Sequence, residues 1–298
     1  MKIARILVPT DFSPHAEHAL DTAIALAKPG RAAIHLLHVF QLPVALPTPD
    51  SATIPLQFWD EIRRQGAAHL AKSRQKVEAA GLSCETEMIE DVPGFAVAPA
   101  AQRARADLIV MGSRGLSGLK HLVLGSVAER TVRAARCPVL TVKADDSVAG
   151  RFATIVVPID FSASSDAALA QAKSLCLENG PAHLVLVHAY YVPVELEQYL
   201  ATRDTGLFDS ISRTVTQDLE KLLTRLKAEG VSAEYYAQPG RPESVIVELA
   251  REKRADLIAM GTHGRRGISH LLLGSVAEHV VRTAQCPVLT VREPEKPK

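Results

Sequence analysis

Residues 107–142 read DLIVMGSRGLSGLKHLVLGSVAERTVRAARCPVLTV, and residues 256–291 read DLIAMGTHGRRGISHLLLGSVAEHVVRTAQCPVLTV. The two stretches agree at 24 of 36 positions without a gap. Leu7-Val-Pro-Thr-Asp-Phe-Ser13 returns as Val156-Val-Pro-Ile-Asp-Phe-Ser162 at the same offset of 149, and twice 149 is the chain length of 298. Such a chain folds as two like domains, each long enough to bury its own core. The expected boundaries are 1–143 and 152–293, with residues 144–151 as a linker rich in turn formers (Asp145, Asp146, Ser147, Gly150).

Each copy alternates strand and helix patterns. Apolar runs such as residues 3–9, 33–40, 108–111 and 138–142 read as strands. Helices are expected over about 14–28, 58–80, 95–105 and from Ser126, and the second half repeats the plan. Alternation of this kind means an α/β domain with an open parallel sheet, right-handed crossovers and helices on both faces. Residues 84–90 alternate and read as an edge strand with one wet face. Residues 41–55 and 190–207 read as long loops, and the last five residues as a tail.

The chemistry concentrates at the glycines. Asp-Leu-Ile-x-Met-Gly is a buried strand running into a loop, and Gly112, Gly115, Gly118 are matched by Gly261, Gly264, Gly267. Glycine permits positive φ and close approach to backbone amides. Ser126-Val-Ala-Glu129 and Ser275-Val-Ala-Glu278 then read as helix starts. A helix N-terminus with free N–H groups suits phosphate, whereas Ser-x-x-Glu as a capping box needs no ligand. Neither a Walker A loop nor G-x-G-x-x-G is present.

The formal net charge of +1 gives no support for nucleic acid or an anionic membrane as partner. No apolar run reaches membrane-spanning length, and Met1-Lys-Ile-Ala-Arg5 is no signal peptide, so the expected location is the cytoplasm. The four cysteines form no C-x-x-C pair. Cys137 and Cys286 read as small buried residues. The histidine pairs 15/18 and 35/38 have no carboxylate or thiol cluster beside them, so no protein metal site is expected.

The motifs V-P-T-D-F-S, G-x-x-G-x9-G-S and C-P-V-L-T-V, in both halves, resemble the universal stress protein family and its ATP-binding branch. The resemblance implies a Rossmann-like strand order of 3-2-1-4-5, an internal pseudo-two-fold, and last strands of the two halves paired antiparallel. A homodimer of the whole chain is compatible with it. It implies ATP, carried with or without Mg²⁺, in the crevice where strand order reverses. Pro9, Thr10, Asp11 and Val39 would meet base and ribose, as would Pro158, Ile159, Asp160 and Ala189. Met111, Gly112, Ser113, Gly115, Gly125, Ser126 and Val127 would hold ribose and phosphates. Met260, Gly261, Thr262, Gly264, Gly274, Ser275 and Val276 would do the same in the second half. The function implied is a nucleotide-binding stress-response regulator. A slow ATP hydrolase or nucleotidyl transferase, and a nucleotide-independent scaffold, are the alternatives. Arg265 and Arg266, where the first half has Leu116 and Ser117, lead us to expect tighter triphosphate binding in the second half.

Overall fold

In the computed structural model the apolar runs become central strands because both faces of each are covered. The structure describes residues 3–41, 56–115, 124–146, 150–180, 182–190, 207–264 and 273–293, with backbone alone for 56–58, 178–179 and 207–215. The expected long loops, Gly118, Gly267, the residue pairs 116–117 and 265–266, and the terminal tail lie largely or wholly outside them. The chain divides into two compact units, Lys2–Gly150 and Arg151–Lys298.

The first unit runs β1 (Arg5–Pro9), α1 (Pro14–Ala27), β2 (Ala33–Phe40), α2 (Leu56–Ala79), β3 (Cys84–Glu90), α3 (Pro93–Arg103), β4 (Leu108–Gly112), α4 (Ser126–Ala134) and β5 (Val139–Val142). Its strands are all parallel, in the order β3-β2-β1-β4-β5. The register runs Arg5↔Ala33 to Pro9↔Leu37, with Ile6↔Leu108 on the other side of β1. Right-handed crossovers put α1 and α2 on one face and α3 and α4 on the other. Lys76 of α2 reaches Asp21 of α1 at 2.6 Å. Ile6, Leu7, Val8, Ile109 and Val110 are fully buried, as a central parallel strand requires. The edge strand β3 is open in part on both faces rather than on one, since it pairs with β2 alone among the described strands of its unit.

The second unit repeats this with β6 (Thr154–Pro158), α5 (Ala163–Asn179), β7 (His183–Tyr190), α6 (Leu207–Ala228), β8 (Ser232–Pro239), α7 (Pro242–Glu252), β9 (Leu257–Gly261), α8 (Ser275–Thr283) and β10 (Val288–Val291). Its order is β8-β7-β6-β9-β10, again parallel.

The aspartate opening each signature stretch is a clamp. Asp107 Oδ2 accepts the amides of Ala4 (2.8 Å) and Arg5 (2.9 Å). Asp256 Oδ2 does the same for Ala153 and Thr154, both at 2.9 Å. One carboxylate thus joins the start of the fourth strand to the start of the first, on either side of the point where strand order reverses. The cysteines are less enclosed than expected. Only Cys176 is buried, and Cys84, Cys137 and Cys286 are half-buried. Burial still pushes the Cys84, Cys137 and Cys176 thiols up to about 11, which leaves little thiolate for chemistry. Among the described residues no helix is long and apolar enough to cross a membrane.

Candidate functional site

The crevice begins where β1 stops. Thr10 N–H donates to Leu37 O (2.8 Å), which carries the chain one residue past the strand. Phe12 then takes a left-handed backbone, φ 62°, and its second-unit equivalent Phe161 does so at 59°. A bulky residue rarely adopts this region unless its surroundings impose it. Here Phe12 N–H donates to Thr10 Oγ1 (3.0 Å), and Ser13 N–H donates to Asp11 Oδ1 (3.0 Å). The Phe12 ring lies against His38 of β2 and His69 of α2, with centroids 4.5 and 4.9 Å apart. His38 Nδ1 donates to Thr10 O (2.9 Å), and His188 Nδ1 donates to Ile159 O (2.6 Å). These two histidines serve the loop after the first strand. Sequence spacing alone did not reveal that, because the partner is 28 or 29 residues away.

Ser13 caps α1 through Ala16 N–H (3.3 Å). Asp11 is therefore not the cap. Its Oδ1 closes the turn, and its Oδ2 lies against Gly115, where an added Cβ would collide with it. In the second unit Asp160 Oδ1 accepts from Ser162 N–H (3.0 Å) and Ser162 Oγ–H (2.6 Å). Its Oδ2 is 2.8 Å from the Cβ position of Gly264.

The glycines act by closeness, not by φ. Among the described residues the positive-φ glycines are 81, 180, 230 and 240, so Gly112, Gly115, Gly125, Gly261, Gly264 and Gly274 do not need the left-handed region. This corrects one of the two roles expected of them. A Cβ on Gly112 would lie 2.9 Å from His15 Cβ and 3.0 Å from Arg114 O. On Gly261 it would lie 2.8 Å from the carbonyl carbon of Ser164.

The expected capping box is absent. The N-caps of α4 and α8 are Gly125 and Gly274, and neither has a side-chain cap. Ser126 and Ser275 are already the first helical residues, and Glu129 pairs with Arg133 one turn on (2.9 Å). Gly125 and Gly274 are instead tied back through their N–H groups to Ser113 O and Thr262 O, both at 2.9 Å. Among the described residues the first-turn amides of both helices thus lack a side-chain cap, the arrangement that receives an anion. Since Ser126 is not a cap, Ser126→Ala should miss the loss of about 1 kcal/mol that removing a serine cap causes. Thermal melting should be unchanged; a marked drop would show that its hydroxyl does cap the helix.

In the first unit these parts enclose a cavity of about 280 Å³. It is lined by Pro9, Thr10, Asp11, Val39, Met111, Gly112, Gly115, Gly125, Ser126 and Val127, together with Ala16, Leu37, Pro93, Val97, Arg114 and Ala128, which were not among the expected site residues. Arg114 stands between two motif glycines, and Pro93 opens α3, so both positions carried a signal. Ser113 is outside the lining. It is 4% exposed, with a buried Oγ that has no hydrogen-bond partner among the described residues. Beneath the loop, burial and then the Arg114 guanidinium hold the His15 imidazole below its ordinary value, against the pull of Asp11 and Asp145.

In the second unit Pro158 ends the first strand and Ile159 and Asp160 follow it, Ala189 lies near the end of β7, and Met260 and Gly261 end β9. Ser275 and Val276 open α8. Gly264 meets Asp160, and Gly274 meets Thr262 and His263, so the two loops converge as in the first unit. Arg241, which follows Gly240, is paired with Glu243 at 2.9 Å. The expectation of tighter binding there rested on Arg265 and Arg266, which lie outside the described residues.

The family model described as "Universal stress protein family" matches residues 2–143 and again 151–292. The chain is 37% identical over 141 residues to Universal stress protein MJ0531 of Methanocaldococcus jannaschii, covering 47% of this chain and 81% of that one. It is 30% identical over 275 residues to Universal stress protein Rv2005c of Mycobacterium tuberculosis, covering 87% and 86%. Its fold is similar to that of the crystal structure of a universal stress protein from Archaeoglobus fulgidus, with a TM-score of 0.76, 26% identity, and 98% and 100% of the two chains covered. A duplicated signature, two parallel sheets of one order and two matches to one model have a single explanation: the chain belongs to the universal stress protein family, with its domain present twice in tandem.

Proposed function

We propose that each unit binds one ATP, and that occupancy sets the conformation or partner surface of a cytoplasmic stress-response regulator. The observation that carries this is the first-unit cavity. It has a carboxylate at one wall, Asp11, and a glycine-lined, uncapped helix N-terminus with Arg114 at another. Asp11 Oδ2 can accept from ribose hydroxyls, while first-turn amides and a guanidinium take phosphate oxygens. Apolar Val39, Val97, Met111 and Leu37 suit the flat face of a base. Mg²⁺ would enter on the phosphate oxygens, its usual mode with nucleotides. The proposal includes the antiparallel pairing of the two last strands that the family resemblance implies.

Hydrolysis needs a positioned water together with a base or cation at the γ-phosphate. The lining offers one carboxylate, and Asp11 is already engaged with the Ser13 amide. Binding without turnover is therefore the reading the cavity supports best. Native mass spectrometry of protein purified without added ligand tests it, followed by denaturation and identification of what is released. Two ATP per chain is the expected result. Release of ADP would favour the hydrolase, and an empty chain that takes up no added ATP would refute the proposal.

A further inference from the structure

Among the differences between the two copies of the loop, Arg114 in the first unit stands where His263 stands in the second. Arg114 lines the cavity. His263 is held from one side, with Nδ1 2.9 Å from Thr262 Oγ1. Its carbonyl accepts the Ser164 hydroxyl, and its Cα lies 3.6 Å from the Cβ position of Gly274, the N-cap of α8. The remaining ring nitrogen, Nε2, is buried and has no hydrogen-bond partner among the described residues. A buried polar atom without a partner costs free energy, and an anion at the uncapped N-terminus of α8 would supply one.

Resting on the ATP reading above, we infer that His263 is a phosphate-binding residue that makes nucleotide binding in the second unit proton-linked, a linkage that Arg114 does not supply at the same position of the first unit. An imidazolium donates from both nitrogens, so Nδ1 can keep Thr262 while Nε2 donates to a phosphate oxygen. Histidine changes charge between pH 5 and 8, whereas arginine keeps its charge. Among the described residues, the charged and titratable groups on the elements packed around His263 are Asp160 beside Gly264, Asp166 and Lys173 of α5, Glu278, His279 and Arg282 of α8, and Arg292 after β10. These are of both signs. An arriving phosphate adds negative charge beside the ring, stabilises the imidazolium and draws a proton onto it.

The test is titration calorimetry of the full chain with ATP near pH 7, in two buffers of different ionisation enthalpy. This counts protons taken up on binding. ATP's own protons cancel between variants. His263→Arg installs the residue the first unit already carries, so the fold should be kept; it should lower the proton count, and Arg114→His should raise it. Second-site affinity should fall by about three- to tenfold from pH 6 to pH 8 relative to the first site, which corresponds to an average uptake of about a quarter to a half of a proton over those two units. An unchanged proton count in His263→Arg would overturn this inference alone. Absence of ATP binding in the unmodified chain would overturn the site reading, and this inference with it.

Discussion

With Gly115 replaced by glutamate, the chain should hold one nucleotide instead of two. The same holds for Gly264→Glu, and the double variant should hold none. Among the described residues beyond its chain neighbours, the atoms within 4 Å of a Cβ added at Gly115 belong to the Asp11 carboxylate, and at Gly264 to Asp160 Oδ2. A glutamate there puts a second negative charge against the first, in the mouth of the crevice. Any phosphate approaching the amides of Ser126 and Val127 would meet both. Occlusion and repulsion of roughly 3 kcal/mol together correspond to about a hundredfold loss of affinity, since each 1.4 kcal/mol is a decade. No backbone of the described residues beyond its chain neighbours lies within 4 Å, so the fold should survive. Far-ultraviolet circular dichroism and melting should match the unmodified chain while the bound nucleotide halves. If both single variants keep two equivalents, the nucleotide lies elsewhere.

Three residues earlier, the opposite outcome is expected. Gly112→Ala adds a single methyl group, yet it should cost about 3 kcal/mol, the upper end of what overpacking usually costs. The added carbon would sit 2.9 Å from His15 Cβ, 3.0 Å from Arg114 O and 3.1 Å from the His15 carbonyl carbon. Two of these are backbone atoms, which no rotamer change can move. The end of β4 would have to part from the first turn of α1, and α1 covers the buried face of β4. Gly261→Ala meets Ser164 in the same way, at 2.8 Å from its carbonyl carbon. Urea or thermal denaturation measures the loss, about 10 °C in melting temperature for a unit of this size. A Gly112→Ala chain as stable as the original would contradict the packing of α1 on β4. Two glycines of one motif thus have separate duties: the first lets helix and strand touch, and the second keeps the crevice mouth open.

The fold was largely legible in the sequence, because period and punctuation agreed. β2 and β3 run over the expected residues, and Gly81 (φ 79°) ends α2 with a backbone that suits glycine. Where boundaries moved, the cause is local. α3 begins at Pro93, as proline at the first helical position favours. It ends at Arg103, before Arg105, whose φ of 50° no glycine announced. The strand order came from the resemblance, since five alternating strands do not fix it. At the site, the glycines and Asp11 were legible as types, but two of the reasons offered for them were not right. Ser-x-x-Glu matches a capping box in letters, yet the chain takes Gly125 as its cap. Its amide is held by Ser113 O, which shifts the helix start by one residue. The contribution of His38 could not be read from β2, because what it binds is a carbonyl 28 residues away.

Phe12 holds a backbone conformation that its own chemistry disfavours, and it does so because His38 and His69 grip its ring. The position of Asp11, one residue before, therefore depends on α2 as well as on its local turn. It is the last link in a relay of supports that starts on α2, at His69. Displacing α2 would remove one support of the ring, alongside the Thr10 Oγ1 and Asp11 Oδ1 hydrogen bonds that also hold the turn. The exposed outer surface of α2 is in this sense a handle on the crevice. A partner that grasps it could reset the pocket without entering it.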